Sequence, residues 1–122
     1  MRIMCKSKIH RAAVTEADLD YVGSITIDEA LMDAADIMPY EKVLVVNLET
    51  GTRAESYAIV GERGSGVICA NGGLAKLFFP GQKTIIIAFS ICDEKELKGF
   101  KPKIVLVDGK NRQVDTAPSS SG

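Results

Sequence analysis

The sequence contains no tryptophan, one histidine, three cysteines and four prolines in 122 residues. Each scarcity excludes something. A single histidine, His10, leaves Ser-His-Asp chemistry one candidate base and makes a zinc site improbable. Cys5, Cys69 and Cys92 are odd in number and widely spaced, so neither a disulfide framework nor a paired metal-ligand motif is expected. Three reduced thiols in a cytoplasmic protein is the plain reading. Neither sign of charge dominates: 15 Lys and Arg stand against 16 Asp and Glu, a formal net charge of -1. That argues against nucleic acid or an anionic membrane as a partner. No apolar run approaches the roughly 20 residues needed to span a bilayer. The basic start "MRIMCKSKIHR" is not followed by the apolar stretch of a secretory signal. There is no Walker loop. "GERGSG" (Gly61 to Gly66) is glycine-rich but lacks the strand-loop-helix context of a phosphate cradle.

What is present is a series of short, apolar, β-branched runs broken by glycine-rich turns. Strands are predicted over Arg2 to Ile9, Tyr21 to Ile27, Lys42 to Leu48, Arg53 to Val60, Val67 to Ala70, Lys83 to Ile91 and Lys103 to Asp108. In the first, Ile3, Cys5, Ser7 and Ile9 should share one face. Asp28 is a suitable N-cap for a helix through "EALMDAADI", with Pro39 ending any continuation. One helical turn is expected up to Phe78, and a short helix in "DEKELKGF". Residues 1–116 read as one mainly β domain, and 117–122 ("APSSSG") as a disordered tail. Many short strands with few helices point to a small closed barrel, because closure removes exposed edges.

One stretch resists this reading. "LDYVGSITID" places Gly23-Ser24 inside a strand-like run, where glycine weakens pairing and usually marks a bulge or close backbone approach. An isolated Gly-Ser is ordinarily a bulge beside a surface hydroxyl. The alternative is an unhindered Gly23 carbonyl beside a nucleophilic Ser24 oxygen, which would make the backbone itself a substrate. The other residues able to carry chemistry are Lys8, Arg53, Ser56, Tyr57, Asn71 and Gly72.

The segments "KSKIHRAAVTEADLDYVGSITID", "KVLVVNLETGTR", "SYAIVGERGSG", "ANGG" and "FKPKIVLVD" together resemble the pyruvoyl-dependent aspartate 1-decarboxylases, which make β-alanine for pantothenate synthesis. The similarity covers nearly the whole chain, and "YVGSITID" with "KIHR" upstream is its most specific part. The resemblance implies a closed six-stranded double-psi β-barrel with short helices. It implies a homotetramer with sites between subunits, and self-cleavage into Met1–Gly23 and Ser24–Gly122. It further implies a covalent pyruvoyl group made from Ser24, with neither metal nor pyridoxal phosphate, that forms a Schiff base with the amine of L-aspartate. Ser56 would assist cleavage, and Tyr57 would be the proton donor. Lys8 and Arg53 would hold substrate carboxylates, together with Ser56 and backbone N–H groups of Gly72, Gly73 and Leu74. Asn71 would orient the pyruvoyl region. His10, two residues after Lys8, is a supporting candidate that is more often structural.

The chain departs from the family pattern twice. Ser56 stands where threonine is usual, keeping the hydroxyl but loosening χ1. Leu74 stands in a run usually of alanines, and its bulk is expected to crowd the site or shift the loop. Two rival readings remain open at this stage: an uncleaved barrel that binds a small acidic metabolite or a partner protein, and pyruvoyl chemistry on glutamate.

Overall fold

The structure, a computed structural model, describes residues 1–117. Its strands are β1 (Arg2–Ala13), β2 (Glu16–Asp18), β3 (Ser24–Asp28), β4 (Lys42–Asn47), β5 (Arg53–Gly61), β6 (Ile68–Asn71), β7 (Lys83–Cys92), β8 (Lys103–Val107) and β9 (Gln113–Ala117). A single α-helix, α1 (Glu29–Ala35), follows β3, and a one-turn 3-10 helix (Gly72–Lys76) follows β6.

The strands hydrogen-bond in the order β2-β6-β3-β5-β4-β7-β1-β8-β9. β1 and β3 occupy equivalent roles: each has one parallel and one antiparallel neighbour. β4 joins the two halves, antiparallel to both β5 and β7. One apolar cluster draws on both halves, with Ile9, Ile25, Ile27, Val45, Ile68, Ile86 and Val105 wholly or almost wholly buried. Full burial of such a side chain stabilises by about 1.5–3 kcal/mol. Polar ties link distant ladder positions. The Thr15 amide donates to Ile68 O (2.8 Å), and Ile68 N donates to Thr15 Oγ1 (2.9 Å). The buried Asn111 carboxamide binds Ala13 N and O and also Gly66 O, fastening the β8–β9 turn to the loop before β6.

Helix α1 begins as expected: the Asp28 side chain accepts from Ala30 N at 2.8 Å. Seven residues are too few for a stable isolated helix, so its buried Leu31, Met32 and Ala35 hold it to the core. It ends at Asp36 in left-handed conformation (φ 56°), three residues before Pro39. Asp36, not the proline, is the stop.

Several expectations need correction. β1 runs four residues beyond Ile9. Its register slips between Cys5 and Ser7, so Ile3 leaves the buried face and is 75% exposed. The third strand starts at Ser24; Tyr21 to Gly23 lie outside it. "DEKELKGF" forms turns in place of a helix, because the Asp93 carboxylate captures the Lys95 and Glu96 amides and Gly99 turns left-handed. β2 and β9 were not expected; β2 is three exposed residues, two of them acidic, with no apolar alternation to reveal it. Ala117, assigned to the tail, ends β9 and pairs with Ile104. The remainder of that predicted tail lies outside the described residues.

Candidate functional site

Ser24 opens β3, and its side chain is buried, with 1% of the residue exposed. Its Oγ donates to Val22 O (3.2 Å) and accepts from Asn71 Nδ2 (3.0 Å). Register explains the second bond: Ser24 and Asn71 are direct cross-strand partners on the β3–β6 ladder. Asn71 Nδ2 also donates to Thr26 Oγ1 (2.9 Å), and Cys69 Sγ donates to Asn71 Oδ1 (3.2 Å).

Gly23 is exposed, lacks a left-handed φ, and a Cβ built on it would meet nothing within 4 Å. The backbone demand falls on Gly72. It is left-handed (φ 65°), and its missing Cβ would sit 2.7 Å from Gly23 Cα, 2.9 Å from Gly23 N and 3.0 Å from Tyr21 O. The glycine that permits the close approach is therefore opposite the Gly23-Ser24 peptide.

Two adjoining clefts meet at Ser24. One, of about 380 Å³, is lined by Gly23, Ser24, Ser56, Tyr57, Asn71, Gly73 and Leu74 among others. The second, about 540 Å³, shares Ser24 and Tyr57 and adds Tyr21, Val22 and Tyr40. β5 runs parallel to β3, with Ile25 paired to Ala58, which sets Tyr57 beside Ser24. Among the described residues, neither the Ser56 nor the Tyr57 hydroxyl has a hydrogen-bond partner, so both are free to face a bound molecule. The Tyr40 ring lies 6.3 Å from that of Tyr57, and its backbone is left-handed (φ 71°), a strained conformation for a bulky residue. Leu74 lines the smaller cleft and also packs into the apolar cluster, where it is 8% exposed.

The structure thus gathers Gly23, Ser24, Ser56, Tyr57, Asn71, Gly73 and Leu74, with Gly72 packed behind them. It does not gather the cations. Arg53 starts β5 on the exposed face and lines neither cleft. Lys8 and His10 lie on β1 and line neither cleft. Burial foremost, then Arg11 and Lys8, lower the His10 pKa and favour neutral imidazole.

The "GERGSG" loop has a different role from anion binding. Its Gly64 and Gly66 amides donate to the buried Asp28 carboxylate (3.0 and 2.8 Å). Burial alone would push the Asp28 pKa up. The Gly64, Gly66 and Ala30 amides, with Arg63, outweigh that and leave it below its ordinary 3.8. Among the described residues, no three His, Cys, Asp or Glu side chains cluster to hold a metal, and no helix is long and apolar enough to cross a membrane.

Sequence reasoning missed Thr26, Cys69 and Tyr40. The first two follow from the strand register, which a single sequence does not display. Tyr40 carried one usable signal, its place right after Pro39 in a turn.

The sequence model of a family described as aspartate decarboxylase matches residues 1–114. The chain is 61% identical over 112 residues to the aspartate 1-decarboxylase of Acetivibrio thermocellus, covering 92% of this chain and 89% of that one. It is 58% identical over 112 residues to the protein of the same name from Pelotomaculum thermopropionicum, covering 92% and 85%. Against that of Heliobacterium modesticaldum the figures are 56% over 116 residues, covering 95% and 88%.

Proposed function

The chain belongs to the aspartate decarboxylase family, and from that premise we propose that it is a self-processing aspartate 1-decarboxylase, releasing carbon dioxide from L-aspartate to give β-alanine. The observation that carries the self-processing reading is the buried Ser24 Oγ, with Asn71 Nδ2 on it and the gap left by Gly72 beside Gly23. In cleavage, Oγ bonds to the Gly23 carbonyl carbon while the Gly23–Ser24 C–N bond breaks, and the hydroxyl proton ends on the Ser24 nitrogen. Loss of the Ser24 α-proton then breaks the Cβ–Oγ bond, leaving Gly23 as a carboxylate. Water replaces the nitrogen, releasing ammonia and a pyruvoyl group at residue 24. Ser56, in the same cleft as Gly23, supplies the hydroxyl that stabilises the oxyanion.

The surroundings of Ser24 fit that group: the Asn71 Nδ2 donor already aimed at the side chain suits a carbonyl oxygen. The pyruvoyl carbonyl supplies the electron sink that decarboxylation needs, as cofactors elsewhere do. The rest falls to the chain. Arg53 grips a substrate carboxylate in two places and Lys8 adds a point charge. Tyr57, beside Ser24 in both clefts, returns a proton to the substrate carbon. Gly73 and Leu74 offer backbone N–H groups at the cleft wall.

Because Lys8, His10 and Arg53 line neither cleft at Ser24 within one chain, the complete pocket forms between subunits of a homotetramer. The Asn111–Gly66 tie, which draws the β8–β9 turn to the loop before β6, supports closure into a double-psi barrel. The enzyme works in the cytoplasm. The test is a denaturing mass spectrum of the purified protein. Fragments of residues 1–23 and 24–122, the larger beginning with pyruvoyl, are expected. A single intact chain would overturn self-processing and favour a non-catalytic binder.

A further inference from the structure

Four side chains form a polar patch on one face of the β3–β6 ladder. Ser24 pairs with Asn71 and Thr26 with Cys69, each pair directly opposite. Within each strand the two residues are two apart and share a face. Asn71 reaches its direct partner and its diagonal one: one amide donates to Ser24 Oγ at 3.0 Å and to Thr26 Oγ1 at 2.9 Å. The Cys69 thiol donates to the amide oxygen at 3.2 Å. Asn71 is 3% exposed, yet both ends of its carboxamide are satisfied.

A carboxamide rotated by half a turn has nearly the same shape with donor and acceptor exchanged. The orientation present puts N–H on Ser24 Oγ. That polarity serves both cleavage steps, since Oγ accumulates negative charge as it gives up its proton and again as it leaves Cβ. Cys69 holds the orientation, and Thr26 holds the carboxamide in place. Burial, then the Glu16 and Asp18 carboxylates, push the Cys69 thiol pKa up, so it stays protonated and able to donate. Thr26 is fixed from behind: its Cγ2 occupies the space where a Cβ on Gly61 would come within 3.0 Å. Being β-branched, it then has little freedom in χ1, and its Oγ1 stays aimed at Asn71.

We infer that Thr26 and Cys69 are positioning residues for backbone self-cleavage, acting through the Asn71 carboxamide on Ser24 Oγ. This deepens the self-processing reading and rests on it. Neither touches the scissile peptide, and neither is needed to bind substrate.

The test follows cleavage of freshly refolded full-length protein by denaturing mass spectrometry, with the thermal midpoint of each variant measured alongside. Thr26→Val keeps the branched shape and removes the acceptor; Cys69→Ala removes the thiol donor. Each should slow cleavage by about tenfold, the value of one hydrogen bond. Thr26→Ser and Cys69→Ser retain the groups and should cleave within about threefold of wild type. That rescue is a readout that packing alone does not produce, and it holds even if an apolar variant folds poorly. If Thr26→Val and Cys69→Ala cleave at the wild-type rate, or the serine variants are as slow as the apolar ones, the positioning role is overturned while self-processing stands. A wild-type chain that never cleaves overturns both.

Discussion

Gly72 has no β-carbon, and the place where one would sit lies 2.7 Å from the α-carbon of Gly23. This contact separates two glycines that the sequence treats alike. Gly72→Ala must relieve a backbone clash and a left-handed φ together, at about 2–4 kcal/mol. Gly23→Ala meets empty space, and its folding stability should stay within about 0.5 kcal/mol. Its added methyl flanks the attacked carbonyl, so cleavage slows without loss of fold. Urea denaturation of both variants, in a Ser24→Ala background that blocks processing, checks the contrast. Equal destabilisation would contradict it.

Ser56 shares the smaller cleft with Gly23 and Ser24, and its hydroxyl has no protein partner among the described residues. Ser56→Ala should leave the fold intact and slow self-cleavage by about 10²–10³, as loss of an oxyanion donor does elsewhere. Ser56→Thr keeps the hydroxyl on a stiffer χ1 and should cleave at least as fast as wild type. Time courses by mass spectrometry distinguish these outcomes. Unchanged cleavage in Ser56→Ala would move the donor elsewhere.

Much of this was legible in the sequence, for identifiable reasons. The inner strands announce themselves through β-branched runs, and Asp28 through its place before a helical period. The Gly23-Ser24 pair stood out because it interrupted such a run. What escaped depends on register or on contacts far apart in sequence. The sequence marks Asp28 only as a cap, but its carboxylate also holds Gly64 and Gly66, 36 and 38 residues on. The Thr26–Cys69 pairing exists only once β3 lies against β6. The bulge after Cys5 reverses which side of β1 is inside, and alternation alone gives no warning of it. Family resemblance joins Lys8 to Tyr57, whereas in one chain Lys8 lines neither cleft that holds Tyr57.

Asp28 ties stability to acid. Its folded pKa lies below its ordinary 3.8, so the unfolded chain takes up its proton first as pH falls. Its contribution is therefore complete above about pH 5 and fades as pH drops through 3.8 toward the lower folded value. Asp28→Asn should cost about 1.5–3 kcal/mol at pH 7, the range for hydrogen bonds to a charged group. The gap between wild type and variant should narrow below pH 4. Denaturant midpoints measured from pH 3 to 7 on both proteins test the sign. A gap that widens in acid would contradict it.

Tyr57 lies beside Ser24 and against Tyr40, so its ring is held from two sides. Tyr57→Phe keeps that packing and removes only the acidic hydroxyl. The variant should self-cleave normally, and its kcat on aspartate should fall by about 10²–10⁴ with little change in KM. Tyr40→Gly relieves the left-handed strain but removes the neighbouring ring. It should be no less stable than wild type, yet lower in kcat. Steady-state kinetics on protein confirmed as cleaved decide both. Wild-type turnover in processed Tyr57→Phe would remove it as the donor.

Lys8 lines neither cleft at Ser24 within one chain, which leads to a test of shared sites. Lys8 pairs with Ile87 and Ile104, on strands that do not border the clefts at Ser24. If a pocket combines Ser24 of one subunit with Lys8 of its neighbour, two inactive variants can repair each other. Ser24→Ala lacks the pyruvoyl precursor but keeps Lys8. Lys8→Ala processes itself but binds the substrate carboxylate poorly. Each alone should be nearly inactive at low aspartate. Refolded together in equal amounts, they should regain about one quarter of wild-type activity, the fraction of sites that draw both intact residues by random pairing in a closed assembly. If both residues came from the same subunit, no mixed site would be whole and activity would stay at the level of the separate variants. Light scattering on the same samples should report a tetramer. Activity that fails to return from a confirmed mixed tetramer would place Lys8 and Ser24 in separate sites or assign Lys8 no part in binding.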